Sequence, residues 1–206
     1  MSVKPTISEE DFPRILSSYN LGEYEGYKTF ANGAGQTTVL LLTSKGKFVL
    51  RYYENRPQQH VEFEINLFDY LKGKSYPVPE VMQDTSGNYL GIYKDKPYVI
   101  IEYIVGEHGK NPNDIFDADQ ATEVVKAVAQ LHNLTKEYPP EYLKGREVYD
   151  TEYCWREYKK YPQRVENKER ENWLRNELDK LEFPGFLPKG ICHAELVPLL
   201  ILGEVR

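Results

Sequence analysis

Residues 48–72 read FVLRYYENRPQQHVEFEINLFDYLK, a strand-like run followed directly by a helix-like run. The first six residues are apolar or aromatic apart from Arg51, which is typical of a β-strand. From Pro57 to Lys72 the apolar side chains recur at the spacing of one helix face, at Val61, Ile65, Phe68 and Leu71. Gly73 and the prolines that follow it end the helix. This stretch therefore predicts one helix next to a strand that carries a cation.

Strand-like segments flank this stretch on both sides. Upstream, after a short helical lead at about residues 8–18, residues 27–53 alternate apolar runs with small-residue turns, which predicts a β-meander. Downstream, the runs EVMQD (80–84), NYLGIY (88–93) and PYVIIEYIV (97–105) resume the strand pattern, and the last is apolar enough for a strand buried on both faces. The sequence thus predicts an antiparallel sheet of about five strands with one inserted helix.

The pattern becomes helical after residue 117. Asp117 and Gln120 have the spacing of a capping box, and Val124, Val125, Val128 and Leu131 share one helix face. The polar stretch GEHGKNPND at 106–114 separates the two patterns. We therefore predict an α+β fold with a sheet lobe over residues 1–105 and a helical part over residues 106–206.

The composition excludes several classes of protein. The 206 residues are 40% apolar with a net charge of −6, and the basic residues are scattered, so no patch for a nucleic-acid backbone is expected. No apolar run approaches the ~18–20 residues of a membrane span, which indicates a cytoplasmic protein. The two cysteines and four histidines lack the spacing of metal ligands, so no metal site is predicted among them.

Two charged residues lie on predicted inward faces. Arg51 shares its strand face with Val49 and Tyr53, and Glu64 lies within the apolar arc of the helix that follows. A strand cation with a helix carboxylate is an arrangement that kinases use to hold nucleotide phosphates. The alternative is a surface salt bridge of little energetic value.

Two main-chain segments are candidates for contact with the same ligand. Gly33 and Gly35 lie in the turn NGAGQ (32–36), where glycines let backbone N–H groups approach phosphate oxygens; a hairpin turn without a ligand is the alternative. The run from Val99 to Gly106 ends the sheet lobe, and the main chain at Glu102 and Ile104 is a candidate for hydrogen bonds to an adenine ring. A core strand that ends at a glycine explains the same pattern.

A histidine and a carboxylate follow the helical stretch in LPKGICHAE (187–195). In phosphoryl transfer a carboxylate orients or accepts the proton of the substrate hydroxyl, while a nearby histidine braces the loop. His193 and Glu195 are therefore candidate catalytic residues.

Taken in order, the glycine turn, FVLR, PVPE, VIIEYIVGE, the helix ending LHNLT, and LPKGICHAE resemble the aminoglycoside phosphotransferase superfamily, and most of all its homoserine kinase (type II-like) branch. The resemblance covers residues 25–195. It implies a protein-kinase-like two-lobe fold, with ATP and Mg²⁺ as cofactors and a small hydroxyl-bearing substrate such as homoserine, an amino alcohol or an aminosugar.

By this resemblance Arg51 stands where the family has its phosphate-positioning lysine, with Glu64 as its helix partner and Glu102 to Ile104 as the adenine hinge. His193 begins the catalytic loop, and Glu195 stands where an aspartate is expected. Five residues further the family has a metal-binding asparagine, where this chain has Leu200.

The end of the chain leads to a further expectation. The family's Asp-x-Asp magnesium motif would follow Arg206, so the metal ligands are expected to be largely missing and the helical lobe incomplete, as in a truncated chain. We then expect little kinase activity and self-association through exposed apolar faces. The alternatives are a catalytically inactive nucleotide-binding relative and a protein-interaction module without nucleotide.

Overall fold

A computed structural model describes residues 7–30, 36–106, 118–144, 148, 150–160, 167–182 and 191. Helices and strands both occur in these ranges, so the predicted α+β class is confirmed. The α-helices are α1 (Asp11–Leu16), α2 (Gln58–Gly73), α3 (Ala118–Thr135), α4 (Thr151–Lys160) and α5 (Lys168–Lys180), with a 3₁₀ helix at Pro140–Leu143. The strands are β1 (Tyr24–Thr29), β2 (Thr37–Thr43), β3 (Gly46–Tyr52), β4 (Gly91–Tyr93) and β5 (Lys96–Glu102).

The chain divides into two compact units. One comprises residues 1–145 together with 190–206, and the other comprises residues 146–189. The predicted lobe boundary near residue 105 stays a prediction.

All five strands belong to one antiparallel sheet in the order β1-β2-β3-β5-β4. The predicted sheet of about five strands is thereby confirmed. β3 is the central strand, and Arg51 lies on it between Thr38 of β2 and Val99 of β5. The sheet thus places the predicted cation at its middle.

Side chains alternate between the two faces of β3 because successive residues of a strand point in opposite directions. Leu50 and Tyr52 belong to a core that also contains Phe12 and Ile15 of α1. Val49 and Tyr53 belong to a second core that contains Val61 of α2. The second face, which α2 covers, is the one that carries Arg51.

Two of the predicted strands are shorter than expected. Residues 80–84 contain only an isolated bridge between Val81 and Ile101, and 88–93 are a strand only from Gly91 onward. The Asp84 carboxylate accepts hydrogen bonds from the N–H groups of Ser86 and Asn88, which closes a turn instead. β5 ends at Glu102 rather than at residue 105, but its five consecutive residues 97–101 are buried, as predicted.

The inward residues of α2 differ in part from the prediction. Val61 and Leu71 are buried as expected, but Phe63 is buried where Phe68 was expected. Phe63 packs with Tyr138 and Ile191 in a third core, because residues beyond the sheet cover this side of the helix. In α3, Val125 was predicted on the inward face and is 66% exposed.

Helix α3 is joined to α2 and to the segment that follows α2 through tyrosine hydroxyls. Tyr70 donates a hydrogen bond of 2.9 Å to the carbonyl of Leu134, and Tyr76 donates one of 3.2 Å to the carbonyl of Ala127. The predicted capping residue Asp117 lies outside the described residues. The helical character expected for this part of the chain is confirmed over the described ranges.

Helix α1 is fixed to the sheet by a buried carboxylate. Asp11 accepts hydrogen bonds from Tyr93 Oη and from Lys94 Nζ, at 2.7 and 2.8 Å, and also from Ser8. Burial raises the pKa of Asp11, but the hydrogen bonds from Lys94, Ser8 and Tyr93 lower it further, so the net pKa lies well below its usual range. The carboxylate therefore stays ionised.

The two edges of the sheet differ in length. β4 has three residues, whereas β1 has six and carries a register shift between Tyr24 and Gly26. Gly26 has a φ of 156°, which glycine adopts more readily than other residues. The shift is therefore a bulge in the edge strand.

The second unit contains α4 and α5. Asn167 caps α5 by accepting a hydrogen bond from the N–H of Arg170. Trp155 and Tyr158 of α4 pack edge to face. Within the described ranges, no helix is long and apolar enough to cross a membrane.

Candidate functional site

Arg51 and Glu64 meet across the strand and the helix, as the sequence predicts. Arg51 Nη1 lies 3.4 Å from Glu64 Oε2, and each side chain is about one quarter exposed, at 25% and 23%. The guanidinium carbon lies 5.5 Å from the centre of the Tyr53 ring. The ion pair is thus half-buried on an aromatic surface and can still reach a ligand.

Among the described residues, Glu64 has three partners. Besides Arg51, it accepts hydrogen bonds from Tyr53 Oη at 2.5 Å and pairs with His60 Nε2 at 3.2 Å. Burial raises the pKa of Glu64, but His60, Arg51 and Tyr53 lower it below its usual value. The carboxylate is therefore ionised at neutral pH and fixes the guanidinium from the helix side.

Gln36 contacts the opposite side of the guanidinium. When its amide oxygen faces Arg51, that oxygen accepts hydrogen bonds from Nε at 3.0 Å and from Nη2 at 2.6 Å. Gln36 is the last residue of the predicted glycine turn. The end of the turn is therefore attached to the strand cation, whereas Gly33 and Gly35 lie outside the described residues.

A second contact fixes the start of β2. The buried carboxylate of Glu54 accepts a hydrogen bond of 3.0 Å from the N–H of Thr37 and a further one from Thr37 Oγ1. Glu54 lies two residues after the end of β3, so its contact joins the chain beyond β3 to the start of β2 where the glycine turn ends. This contact restricts the position of Gln36 next to Arg51.

Within the described residues, the main chain at the end of β5 offers the Glu102 carbonyl as an acceptor without a backbone partner outside the sheet. The Glu102 N–H donates to the carbonyl of Glu80 at 2.8 Å, whereas the Glu80 N–H donates to the Glu102 carboxylate at 3.2 Å instead of to its carbonyl. Within the described residues, neither the Glu102 carbonyl nor the Ile104 N–H has a backbone partner outside the sheet. The β5 register turns the Glu102 carbonyl away from β3.

Apolar side chains lie between this acceptor and the ion pair. Val49 is directly opposite Ile101 in the sheet, on the face that carries Arg51. Two residues of a strand span about 7 Å, so Val49 and Arg51 are separated by about the distance from a purine ring to the first phosphates of a nucleotide. From the end of β5 inward, this part of the sheet therefore presents the main-chain carbonyl of Glu102, then the apolar surface at Val49, and then the guanidinium of Arg51.

The predicted catalytic residues His193 and Glu195 lie outside the described residues. Ile191, two residues before His193, is described and buried against Phe63 of α2. Among the described residues, no three metal-ligating side chains cluster.

Three partners of the ion pair were not assigned to it from the sequence. His60 precedes Glu64 by four residues, and Tyr53 follows Arg51 by two, so both spacings indicate side chains on the same helix or strand face. Gln36 carries no such periodic signal because it lies in a turn. Its contact required the register of β2 and β3.

Comparison with known proteins gives a consistent result. The profile of the phosphotransferase enzyme family matches residues 26–198. A homoserine kinase of Rhodopseudomonas palustris (strain BisA53) is 27% identical, over 96% of this chain and 60% of the relative. A homoserine kinase of Agrobacterium fabrum is 29% identical, over 95% of this chain and 60% of the relative. The chain thus spans about 60% of the length of these curated relatives.

Solved structures share the fold. A spectinomycin phosphotransferase in complex with ADP and spectinomycin has a TM-score of 0.60 at 10% identity, over 79% of this chain and 48% of that one. An amicoumacin kinase in complex with AMP-PNP and Ca²⁺ has a TM-score of 0.62 at 16% identity, over 86% of this chain and 55% of that one. The predicted kinase-like fold is thereby confirmed.

Proposed function

Because the chain belongs to the phosphotransferase enzyme family, we propose that it binds ATP against Arg51 and transfers the terminal phosphate to a hydroxyl group of a small molecule. Arg51 contacts the phosphates, and the main chain of Glu102 and Ile104 binds the adenine ring. Gly33 and Gly35 approach the phosphates with their N–H groups. His193 braces the catalytic loop, and Glu195 orients the acceptor hydroxyl.

One observation carries this proposal: the Arg51–Glu64 pair lies on the same sheet face as Val49 and next to the end of the glycine turn. A purely structural salt bridge does not require a cation that is held on two sides, stacked on a tyrosine and still one quarter exposed. A guanidinium fixed in this way presents its remaining N–H groups to an oxyanion in one orientation.

The compound that accepts the phosphate is proposed from the names of the relatives. The curated relatives are homoserine kinases, and an aminopropanol kinase is among the structural neighbours, with a TM-score of 0.56. These names share a small hydroxyl compound that also bears an amine. We therefore propose homoserine first, with an amino alcohol or aminosugar as the alternative.

A nucleotide-binding protein without turnover is the second candidate. Glu195 replaces the aspartate expected from the family pattern, and Leu200 stands at the position of a metal-binding asparagine. A general base displaced by about 1 Å can lose about a hundredfold in rate. Magnesium bound with ATP would neutralise charge on the transferred phosphate, and no cluster of three metal-ligating side chains occurs among the described residues.

The test is a calorimetric titration of the 206-residue chain with ATP and magnesium, followed by an assay of ADP release with homoserine. We expect Arg51→Met to weaken ATP binding about tenfold or more, which is about 1.4 kcal/mol. Lys28→Met is the matched control, because it removes the same charge from the exposed part of β1.

Each outcome separates the candidates. Binding with turnover supports the kinase, and binding without turnover supports the inactive relative. A wild-type chain that does not bind ATP contradicts both and favours the interaction module. Equal ATP affinity in the wild-type and Arg51→Met chains contradicts only the proposed role of Arg51 and leaves the proposal of ATP binding in place.

A further inference from the structure

Thr135, the last residue of α3, is buried with only 3% of its surface exposed and faces a residue far along the chain. Its hydroxyl oxygen lies 3.3 Å from the N–H of Ile191 and 3.4 Å from the carbonyl of Ile191. The two residues are 56 positions apart in the sequence. Both main-chain polar groups of residue 191 therefore lie within reach of this hydroxyl.

The number of hydrogen bonds that the Thr135 hydroxyl can donate and accept favours one arrangement of its partners. A threonine hydroxyl has a single proton to donate and two lone pairs that accept. The carbonyl of Leu131 lies closest, at 2.9 Å, so the proton goes there and the oxygen accepts from the N–H of Ile191. Helix α3 thus holds the amide of residue 191 through one side chain.

The side chain of Ile191 is held as well. It is 9% exposed and packs in the third core with Phe63 of α2 and Tyr138. Tyr138 follows the end of α3, where its N–H donates to the carbonyl of Thr135 at 3.2 Å. Residue 191 is therefore fixed by its main chain and by its side chain.

His193 and Glu195 follow Ile191 by two and four residues. Because two residues span at most about 7 Å, the place of residue 191 limits where His193 can be. We infer that Thr135 is a positioning residue for the catalytic segment, whose hydroxyl fixes the main chain from which His193 and Glu195 extend. This inference rests on the proposed function.

The inference predicts a specific kinetic pattern. Thr135→Val keeps the shape of the side chain and removes the hydroxyl, so the Ile191 amide loses its acceptor in a dry environment. We expect kcat to fall about tenfold to a hundredfold, because the catalytic groups lose alignment. The KM for ATP should change less than about twofold, since Arg51 and the β5 main chain are not altered. Thr135→Ser, which retains the hydroxyl, should restore most of kcat.

A second readout does not depend on activity. Hydrogen exchange at the Ile191 amide should speed up about tenfold or more in Thr135→Val and remain near the wild-type rate in Thr135→Ser. Exchange in β2 and β3 is the internal reference. A valine variant with wild-type exchange at Ile191 and wild-type kcat would overturn the inference.

Two other outcomes also decide whether Thr135 is a positioning residue. If Thr135→Val raises the KM for ATP as much as it lowers kcat, or speeds exchange in β2 and β3, the residue has a general structural role and the inference is wrong. If the wild-type chain binds ATP without turnover, the phosphotransfer part of the proposed function fails together with the kinetic half of this inference. The rate of hydrogen exchange at the Ile191 amide then decides whether the Thr135 hydroxyl holds the main chain at residue 191.

Discussion

The guanidinium of Arg51 carries five N–H groups. Two of them, on Nε and Nη2, point to Gln36, and Nη1 lies 3.4 Å from Glu64 Oε2. The other three N–H groups are on the terminal nitrogens, so this edge of the fork can bind an oxyanion as well as Glu64. A lysine at this position would keep the charge but would not present such an edge.

Gln36→Glu tests this assignment. The change keeps the size of the side chain but places a second carboxylate next to Arg51, so the guanidinium is neutralised and phosphate is repelled. We expect ATP affinity to fall about tenfold or more, and to recover in part at high salt. Calorimetric titration with ATP measures the effect.

Gln59→Glu is the control for this variant. Gln59 lies on the exposed part of α2, so the variant has the same net charge without a carboxylate at Arg51. Equal ATP affinity in the two variants would mean that Gln36 does not contact the phosphate-binding cation.

At this scale the sequence predicted the pair and not its surroundings. Arg51 and Glu64 were found because a charge that interrupts an apolar strand or helix face needs a partner. The hydrogen bonds from Gln36 and the aromatic contact of Tyr53 depend on strand register and side-chain direction. Local patterns do not contain that information.

Among the elements, α2 links the ion pair to the rest of the first unit. Phe63 and Glu64 are consecutive residues on it, one in the third core and the other at Arg51. We expect Phe63→Ala to lower the free energy of unfolding by about 3 kcal/mol, because it leaves a cavity among Tyr138 and Ile191. Urea denaturation measures this loss.

Phe68→Ala on the same helix is the matched control. Phe68 is only half-buried, so its truncation should cost clearly less than that of Phe63. Equal losses in the two variants would contradict the inward face that the structure assigns to α2. The helical spacing alone favoured Phe68, because it could not show that residues near 138 and 191 cover a second side of the helix.

The positions at which strands end were also not predicted by the sequence pattern. The apolar run from 97 to 105 continues past the point where β5 stops at Glu102. Its pairing with β3 ends at this residue, and on the other side the Glu80 N–H donates to the Glu102 carboxylate instead of to its carbonyl. The Glu102 side chain competes with the Glu102 carbonyl for the same N–H group, and the hydropathy of the sequence does not reveal such competition.

For the whole molecule, one buried and one half-buried carboxylate make stability depend on pH. Asp11 and Glu64 both have folded pKa values below their ordinary values of 3.8 and 4.5. Their contribution to stability is fully present above those ordinary values and is lost as the pH falls through the lower folded values. We expect the urea midpoint to fall between pH 5 and pH 3, with the steepest loss below about pH 4.

The double variant Asp11→Asn and Glu64→Gln tests the origin of this loss. It should be less stable than the wild type at neutral pH and should lose less on acidification. Asp69→Asn, at an exposed position of α2, should keep the wild-type pH dependence. An unchanged slope in the double variant would assign the acid sensitivity to other carboxylates.

The fold class and the five-stranded sheet followed from the sequence because each strand has a local apolar pattern bounded by turns. The sheet order is less local, since β3 pairs with β5 across the whole of α2. The strand order was therefore not predicted from the sequence. The placement of His193 and Glu195 stays a prediction.

The bulge in β1 has a consequence for the protein in concentrated solution. An edge strand with free N–H and C=O groups is a template on which another chain can add a strand, and this is a common start of aggregation. In β1 the extra residue Glu25, between the paired residues Tyr24 and Gly26, increases the local twist, and Lys28 places a charge on the strand. At the opposite edge, β4 has too few residues to guide such pairing. Both edges of the sheet are therefore poor templates for intermolecular strand addition.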